Sequence, residues 1–425
     1  MATFSAEVFS NEFLAEGATD VHAIVQVACT GAGTAGAGEG TAAAEIVIID
    51  TSGSMTGEKL AAAQHAAAVA IDQIVDGTWF ALIGGSHVAH RIFPYPNARL
   101  AMVPMEPAAR AEAQRALAGV RATGGTAIST WLALADETFQ AAPTTQRHAI
   151  LLTDGKNESE SADLLHQTLA GVEGHFQCDA RGVGQNWVVS ELRAIATTLL
   201  GEVDLVADPA DLAADFEKVM RRSMARGVPD VRMRVWTPQG AQLLFVRRVS
   251  PTVEDLTPKA VAVTGLIREV PTGSWGDEER DYHVAVRVPS RPVGSEQLAA
   301  RFQVMVAGQV QASGLVKARW SSDATLTAQI NPEVAHFTGQ AELAQAIQEG
   351  LAAKAAGDEA TATLRLSRAV QLAHETGDDE ATSKLRKVVE VDDEERGTVR
   401  LRREATKLDE MALDTASTKT SRVRR

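Results

Sequence analysis

Cysteine is nearly missing from this chain: Cys29 and Cys178 are the two in 425 residues. That excludes a disulfide framework as the source of stability. Two thiols on separate predicted strands read as buried and reduced, the pattern of a cytoplasmic protein. No run of roughly 18 apolar residues occurs, so no segment is expected to span a membrane. The opening Met1-Ala2-Thr3-Phe4-Ser5-Ala6-Glu7 lacks the basic and apolar stretches of a secretory leader. Positive charge is also short: 41 Lys and Arg face 55 Asp and Glu, a formal net charge of -14. A general nucleic-acid binder needs clustered cations to neutralise phosphates, so that class is set aside. Hydrophobic residues make up 45%, enough to build more than one core, and the length predicts two or three domains.

What is present is a turn rich in oxygen donors. Asp50-Thr51-Ser52-Gly53-Ser54 follows the apolar run Glu45-Ile46-Val47-Ile48-Ile49 and precedes a helical pattern with Leu60, Ala63, Ala67, Ile71 and Ile74 on one face. A carboxylate and two hydroxyls thus lie on a strand-to-helix turn, where open α/β sheets place their ligands. Hard oxygen donors at alternate positions suit Mg²⁺. Two further elements extend the pattern. Gly124-Gly125-Thr126 sits on a small-residue loop before a second helix, and Thr153-Asp154-Gly155 ends another apolar strand, His148-Ala149-Ile150-Leu151-Leu152.

With these three parts together, residues 43–226 resemble a von Willebrand factor type A domain, a doubly wound α/β fold with a mostly parallel sheet. Asp50, Ser52, Ser54, Thr126 and Asp154 match, in order, the five oxygen residues of that family's metal-ion-dependent adhesion site. The resemblance implies that they hold Mg²⁺, with Mn²⁺ and Ca²⁺ as alternatives. It also implies that a partner protein completes the coordination with an Asp or Glu. Relatives of this kind act as adaptors beside AAA-type ATPases or in Ser/Thr phosphorylation circuits, so the expected function is Mg²⁺-dependent protein–protein binding in a bacterial, cytoplasmic setting.

Elsewhere the pattern divides the chain. Residues 1–30 read as strands, and 31–42 as a flexible Gly/Ala linker without the GK[ST] ending of a phosphate loop. From 227 to 330 short strands separated by turns predict an antiparallel β-sandwich, completed by the strands of 1–30. Within it, 260–270 reads as one strand, and the acidic stretch around Trp275 as a solvated turn. Residues 331–409 read as helical, with Ala360, Leu364, Ala369 and Leu372 faintly similar to a tetratricopeptide helix pair. The polar, basic end, 410–425, is expected to be disordered.

Other chemistries compete for the same residues. Ser54 could simply cap the following helix. A haloacid-dehalogenase-type phosphatase needs an Asp where Ser52 stands. A serine hydrolase elbow requires G-x-S-x-G, and Ser52 again occupies a position that must be Gly; nothing places His175 near Ser54. His87 and His90, on a predicted strand, would point to opposite faces and make no metal pair. An enzyme is therefore not expected. The alternative to an adaptor is a metal-independent scaffold that works through its sandwich and helices.

Overall fold

The computed structural model describes residues 2–36, 42–420 and 422. The chain begins with β1 (Thr3–Ser10), β2 (Phe13–Leu14) and β3 (Asp20–Thr30). An α/β unit follows: β4 (Ala43–Asp50), α1 (Glu58–Gln73), β5 (Trp79–Gly85), β6 (His90–Phe93), β7 (Val103–Pro104), α2 (Pro107–Ala118), α3 (Ile128–Gln140), β8 (Gln146–Thr153), α4 (Ala162–Val172), β9 (Gln177–Val183), α5 (Val189–Thr198), β10 (Val203–Val206) and α6 (Leu212–Met224). Then come β11 (Val228–Trp236), β12 (Gln242–Ser250), β13 (Glu254–Asp255), β14 (Val261–Ala262), β15 (Ile267–Trp275), β16 (Glu278–Arg287), β17 (Glu296–Val306) and β18 (Gln309–Trp320). The last part holds α7 (Ala324–Thr327), α8 (Pro332–Ala355), α9 (Glu359–Thr376), α10 (Asp379–Val388), β19 (Val389–Asp393), β20 (Thr398–Leu401) and α11 (Lys407–Ala416).

Chain contacts separate two compact units. One comprises Ala32–Pro229 with Gly273–Gly276; the other gathers Met1–Gly31, Asp230–Thr272 and Asp277–Arg425. The first is built on a sheet of order β10-β9-β8-β4-β5-β6, with β7 on β5. β4, β5, β8, β9 and β10 run parallel, while β6 and β7 are antiparallel. Every residue of β4 is buried. A parallel strand covered by helices on both faces demands such an uninterrupted apolar run. α1 buries Ala63, Ala66, Ala67, Ala70 and Ile71 in one core with Phe216, Val219 and Met220 of α6. Small alanines let the helices approach closely, and the larger α6 side chains fill the gap. From β4 the chain moves to β5 on one side and returns to β8 on the other. The crevice between the ends of β4 and β8 is therefore a topological switch point.

The second unit is a β-sandwich with appended helices. One sheet has the order β1-β3-β16-β12-β13, the other β14-β15-β11-β17-β18-β2. β3 pairs with β16 along ten residues, from Cys29↔Glu278 to Asp20↔Arg287. The α/β unit is thus inserted into the sandwich sequence between β3 and β11. Alternation on β11 buries Val231, Met233 and Val235. On the far face of β3, Ile24 packs with Val249 and with Val334 and Phe337 of α8. α8, α9, α10 and α11 share a core of Ile347, Leu366, Val370, Leu385 and Leu413.

Several expectations are corrected. Residues 260–270 are two strands, β14 and the start of β15, which pair as a tight hairpin (Val261↔Glu269). Trp275 ends β15 and is 1% exposed, so the acidic stretch is no solvated turn around an exposed ring. The helical segment 331–409 contains the β19–β20 hairpin. Leu364, 68% exposed, faces away from the core, whereas Ala369 and Leu372 are buried with Ala362, Leu366, Val370 and Ala373 of α9. The disordered tail expected over 410–425 is ordered through 420. A capping box between Thr406 and Asp409 starts α11, Met411 and Leu413 bury, and Thr252 bridges Lys419. Residues 421 and 423–425 lie outside the described residues. So do 37–41 of the expected linker, whose Ala35 is buried with its N–H on the Met224 carbonyl at 2.7 Å.

Both thiols are free and buried. Among the described residues no helix is long and apolar enough to cross a membrane.

Candidate metal centre

The site forms at the carboxyl ends of β4 and β8. Asp50 closes β4 and is fully buried; Asp154 follows β8 and is equally buried. The intervening turn is pinned on both sides. Thr51 donates its N–H and hydroxyl to the Gly85 carbonyl (2.6 and 3.1 Å), and Gly53 N–H donates to the Gly124 carbonyl at 2.8 Å. Thr123 N–H returns a bond to the Thr51 carbonyl at 2.7 Å. The Asp50 turn and the Gly124 loop are therefore one hydrogen-bonded assembly.

Within it the five oxygen residues read from the sequence come together. Ser52 N–H donates to Asp50 Oδ1 at 2.8 Å. Ser52 Oγ and Ser54 Oγ lie 3.0 Å apart, and Ser54 Oγ donates to Asp154 Oδ1 at 2.6 Å. Thr126 reaches the same place. A Cβ built on Gly155 would meet Thr126 Oγ1 at 3.3 Å and Ser54 Oγ at 3.6 Å, so both hydroxyls border the small space that the glycine leaves. α1 is capped at Gly57 with no side-chain bond, which removes the reading of Ser54 as a helix cap.

Thr126 is held by the segment after β8. Ser159 N–H donates to the Thr126 carbonyl at 2.9 Å, and Thr126 N–H donates to Ser159 Oγ at 3.1 Å. Asn157 accepts from Ile128 N–H at 2.9 Å and donates to Glu160 at 2.6 Å, while Glu160 accepts from Ser129 N–H at 2.9 Å. Trp131 of α3 lies flat on Gly85, where a Cβ would come within 2.3 Å of its ring, and its Nε1–H donates to the Ser86 carbonyl at 2.7 Å. Only glycine lets the ring pack against the strand end.

Three neighbours were not read as site residues from the sequence. Thr153 Oγ1 donates to Asp50 Oδ2 at 2.6 Å. Gly155 leaves the space just described. Lys59, in the first turn of α1, places its ammonium on Asp154 Oδ2. The first two were flagged by lying beside Asp154. Lys59 carried no signal beyond its position five residues after Ser54. Burial holds the Asp50 carboxyl above its usual range, and the nearby Asp154 charge adds to this, while bonds from Ser52 and Thr153 pull it back.

This donor set fits a small hard cation. Octahedral ligands at Mg²⁺–O distances of 2.0–2.1 Å lie roughly 3 Å from one another, the Ser52–Ser54 oxygen spacing. Among the described residues no group of three or more His, Cys, Asp and Glu side chains converges to hold a metal. Here two carboxylates are supplemented by hydroxyls. His87 and His90 are no pair: His87 is an exposed residue outside any strand with its ring against Gly124, and His90 packs on Gly84. His175 bonds Asp136 at 3.0 Å just before β9, at the amino ends of the parallel strands and opposite Ser54.

Comparison with known proteins follows the same division. A family model for the von Willebrand factor type A domain matches residues 46–156, and one for the von Willebrand factor type A C-terminal domain matches 371–417. The solved structure of a von Willebrand factor type A protein from Catenulispora acidiphila is 42% identical, covers 99% of this chain and 97% of its own, and superposes with a TM-score of 0.93. The ArnB paralog VWA2 from Sulfolobus acidocaldarius shares the fold over 98% of both chains at a TM-score of 0.58 and 14% identity. The uncharacterized protein sll0103 of Synechocystis sp. is 28% identical over 241 residues; this chain spans 54% of its length. The agreement with the Catenulispora acidiphila structure over nearly all of both chains shows that this chain belongs to the von Willebrand factor type A family.

Proposed function

We propose that this chain is a Mg²⁺-dependent protein-binding adaptor whose metal site captures an acidic residue of a partner. The observation that carries the reading is the convergence of Asp50, Ser52, Ser54, Thr126 and Asp154 at the switch point, with neighbouring oxygens 2.6 and 3.0 Å apart. Asp50, buried and bonded to Ser52 and Thr153, anchors the turn. Ser52, Ser54 and Thr126 present neutral hydroxyls. When bound, Mg²⁺ would supply Lewis acidity that these neutral donors leave largely unquenched, and so an affinity for a carboxylate. Mn²⁺ and Ca²⁺ are alternatives for the same donors. Domains of this family are typically protein-interaction modules. An AAA-type ATPase and a phosphorylation-signalling protein are the partner classes that the resemblance implies, in a bacterial cytoplasm.

The site is read as binding rather than catalytic. The Ser54 hydroxyl bonds a carboxylate and not an imidazole, and His175 is engaged by Asp136. One observation favours the second reading, a metal-independent scaffold: the Asp154 carboxylate already has Lys59 as a cationic partner.

Affinity capture in Mg²⁺ and in EDTA, with Asp154→Ala as control, separates the two. A protein retained only by the wild type with Mg²⁺ supports the adaptor. An identical catch in all three conditions moves the function to the sandwich and helices.

A further inference from the structure

We infer that Lys59 is a tethered substitute for the metal: its ammonium holds Asp154 Oδ2 in the metal-free site and is displaced when a divalent cation binds. The inference rests on the metal-site reading of Asp50, Ser52, Ser54, Thr126 and Asp154.

Three observations carry it. Asp154 has no exposed surface, and its two oxygens are divided: Ser54 donates to Oδ1 at 2.6 Å and Lys59 takes Oδ2. The Lys59 side chain is 37% exposed, so one end of its path is already in water. Lys59 also stands in the first turn of α1, where the helix dipole disfavours a cation. Its position therefore works against helix stability, and what it gains is Asp154.

The exchange balances in charge without any proton transfer. Without metal, two buried carboxylates face each other and one ammonium offsets part of their repulsion. When the divalent ion arrives it takes over that role with twice the charge, and the ammonium withdraws along its flexible stem into solvent. Two properties follow together. The domain stays folded when empty, and its metal affinity is lower than the donor set alone would give.

The test uses Mn²⁺ as probe on the full chain, with binding measured by titration calorimetry and melting followed in EDTA. Lys59→Met keeps the stem and removes the charge. It should bind Mn²⁺ about tenfold more tightly, a change of ~1.4 kcal/mol. It should also melt below wild type in EDTA, with the difference closing at saturating Mn²⁺. Lys59→Arg keeps the charge and should bind like wild type. Unchanged or weaker Mn²⁺ binding by Lys59→Met, alongside lost binding in Asp154→Ala, overturns the role of Lys59 and leaves the metal site standing. Wild-type Mn²⁺ affinity in Asp154→Ala instead overturns the metal-site reading itself.

Discussion

Thr153 Oγ1 donates to Asp50 Oδ2 at 2.6 Å, tying the end of β8 to the end of β4 across 103 residues of sequence. Thr153→Val is nearly isosteric and leaves that buried carboxylate oxygen without its donor. The expected cost is about 1–3 kcal/mol, read from urea unfolding in EDTA. Divalent metal should recover part of the loss, since it supplies the missing partner to the same carboxylate.

Gly155→Ala tests the cradle directly. Its Cβ would sit 3.3 Å from Thr126 Oγ1, crowding that hydroxyl, and in ordinary contact with Ser54 Oγ at 3.6 Å. We expect a folded protein whose metal affinity falls by about tenfold, equivalent to ~1.4 kcal/mol. Mn²⁺ titration checks this, and an affinity equal to wild type would show that the hydroxyls do not meet around that space.

At the other end of β8, His148 lies between Glu45 (2.7 Å) and Asp179 (3.1 Å), fully enclosed. Burial alone would lower its pKa, but the Glu45 charge and the bonds to Asp179 and Glu45 prevail and raise it to about 9. Asp179 is likewise pushed up by burial, yet His148 and Arg222 hold it well below the usual carboxylate range. The folded-state pKa of His148 exceeds its unfolded value of about 6.5. Its contribution is therefore complete below about pH 6.5 and lost as pH rises through about 9. The Asp179 contribution is present above its unfolded pKa of about 3.9 and lost only as acid brings the pH through its lower folded value. Urea midpoints should fall between about pH 7 and 10 in wild type, and much less in His148→Gln. That variant should also be destabilised by roughly 3 kcal/mol at neutral pH, because Glu45 and Asp179 lose a shared cation.

Cys29 and Cys178 should ignore thiol reagents in the native state. Burial pushes Cys29 up to about 11, with Asp277 and Glu278 adding to it, and burial raises Cys178 further. Thiolate is the reacting species, so both thiols are doubly protected. Disulfide-exchange labelling should be slow in buffer at pH 8, complete in urea, and without effect on melting when reductant is omitted.

That Asp50, Ser52, Ser54, Thr126 and Asp154 share one place was legible because each type suits an oxygen-lined turn. An oxygen donor must stand at positions 50, 52 and 54, and apolar strands point to the turn from either side. The charged cluster of Glu45, His148 and Asp179 was not legible. Its members lie on β4, β8 and β9, and only the register of three parallel strands brings them together. Lys59 was hidden for a simpler reason: an isolated lysine at a helix start looks solvated, and its partner is 95 residues away. Trp275 was misread because neighbouring acidic residues suggested a turn, whereas β15 continues as strand through Trp275 and buries its indole. The order of the tail was readable in principle. Thr406 and Asp409 have the spacing of a capping box just ahead of Met411 and Leu413, but the polar, basic composition beyond them dominated the reading.

The hydrogen bond from Ala35 to the Met224 carbonyl, with Gly227 packed so closely on Ala32 that a Cβ would fall 1.9 Å from its carbonyl oxygen, fastens the entry of the α/β unit to its exit. That clasp shortens a loop that folding has to close. While the α/β unit is unfolded, pairing β3 with β16 means closing a very long, disordered loop. Once the unit has folded, Ala32 and Gly227 are already neighbours, and the loop left to close before β3 pairs with β16 is the shorter stretch from β11 to β15. Folding of the α/β unit therefore shortens the loop that β3 and β16 have to close, and damage to its core gives that length back to the search.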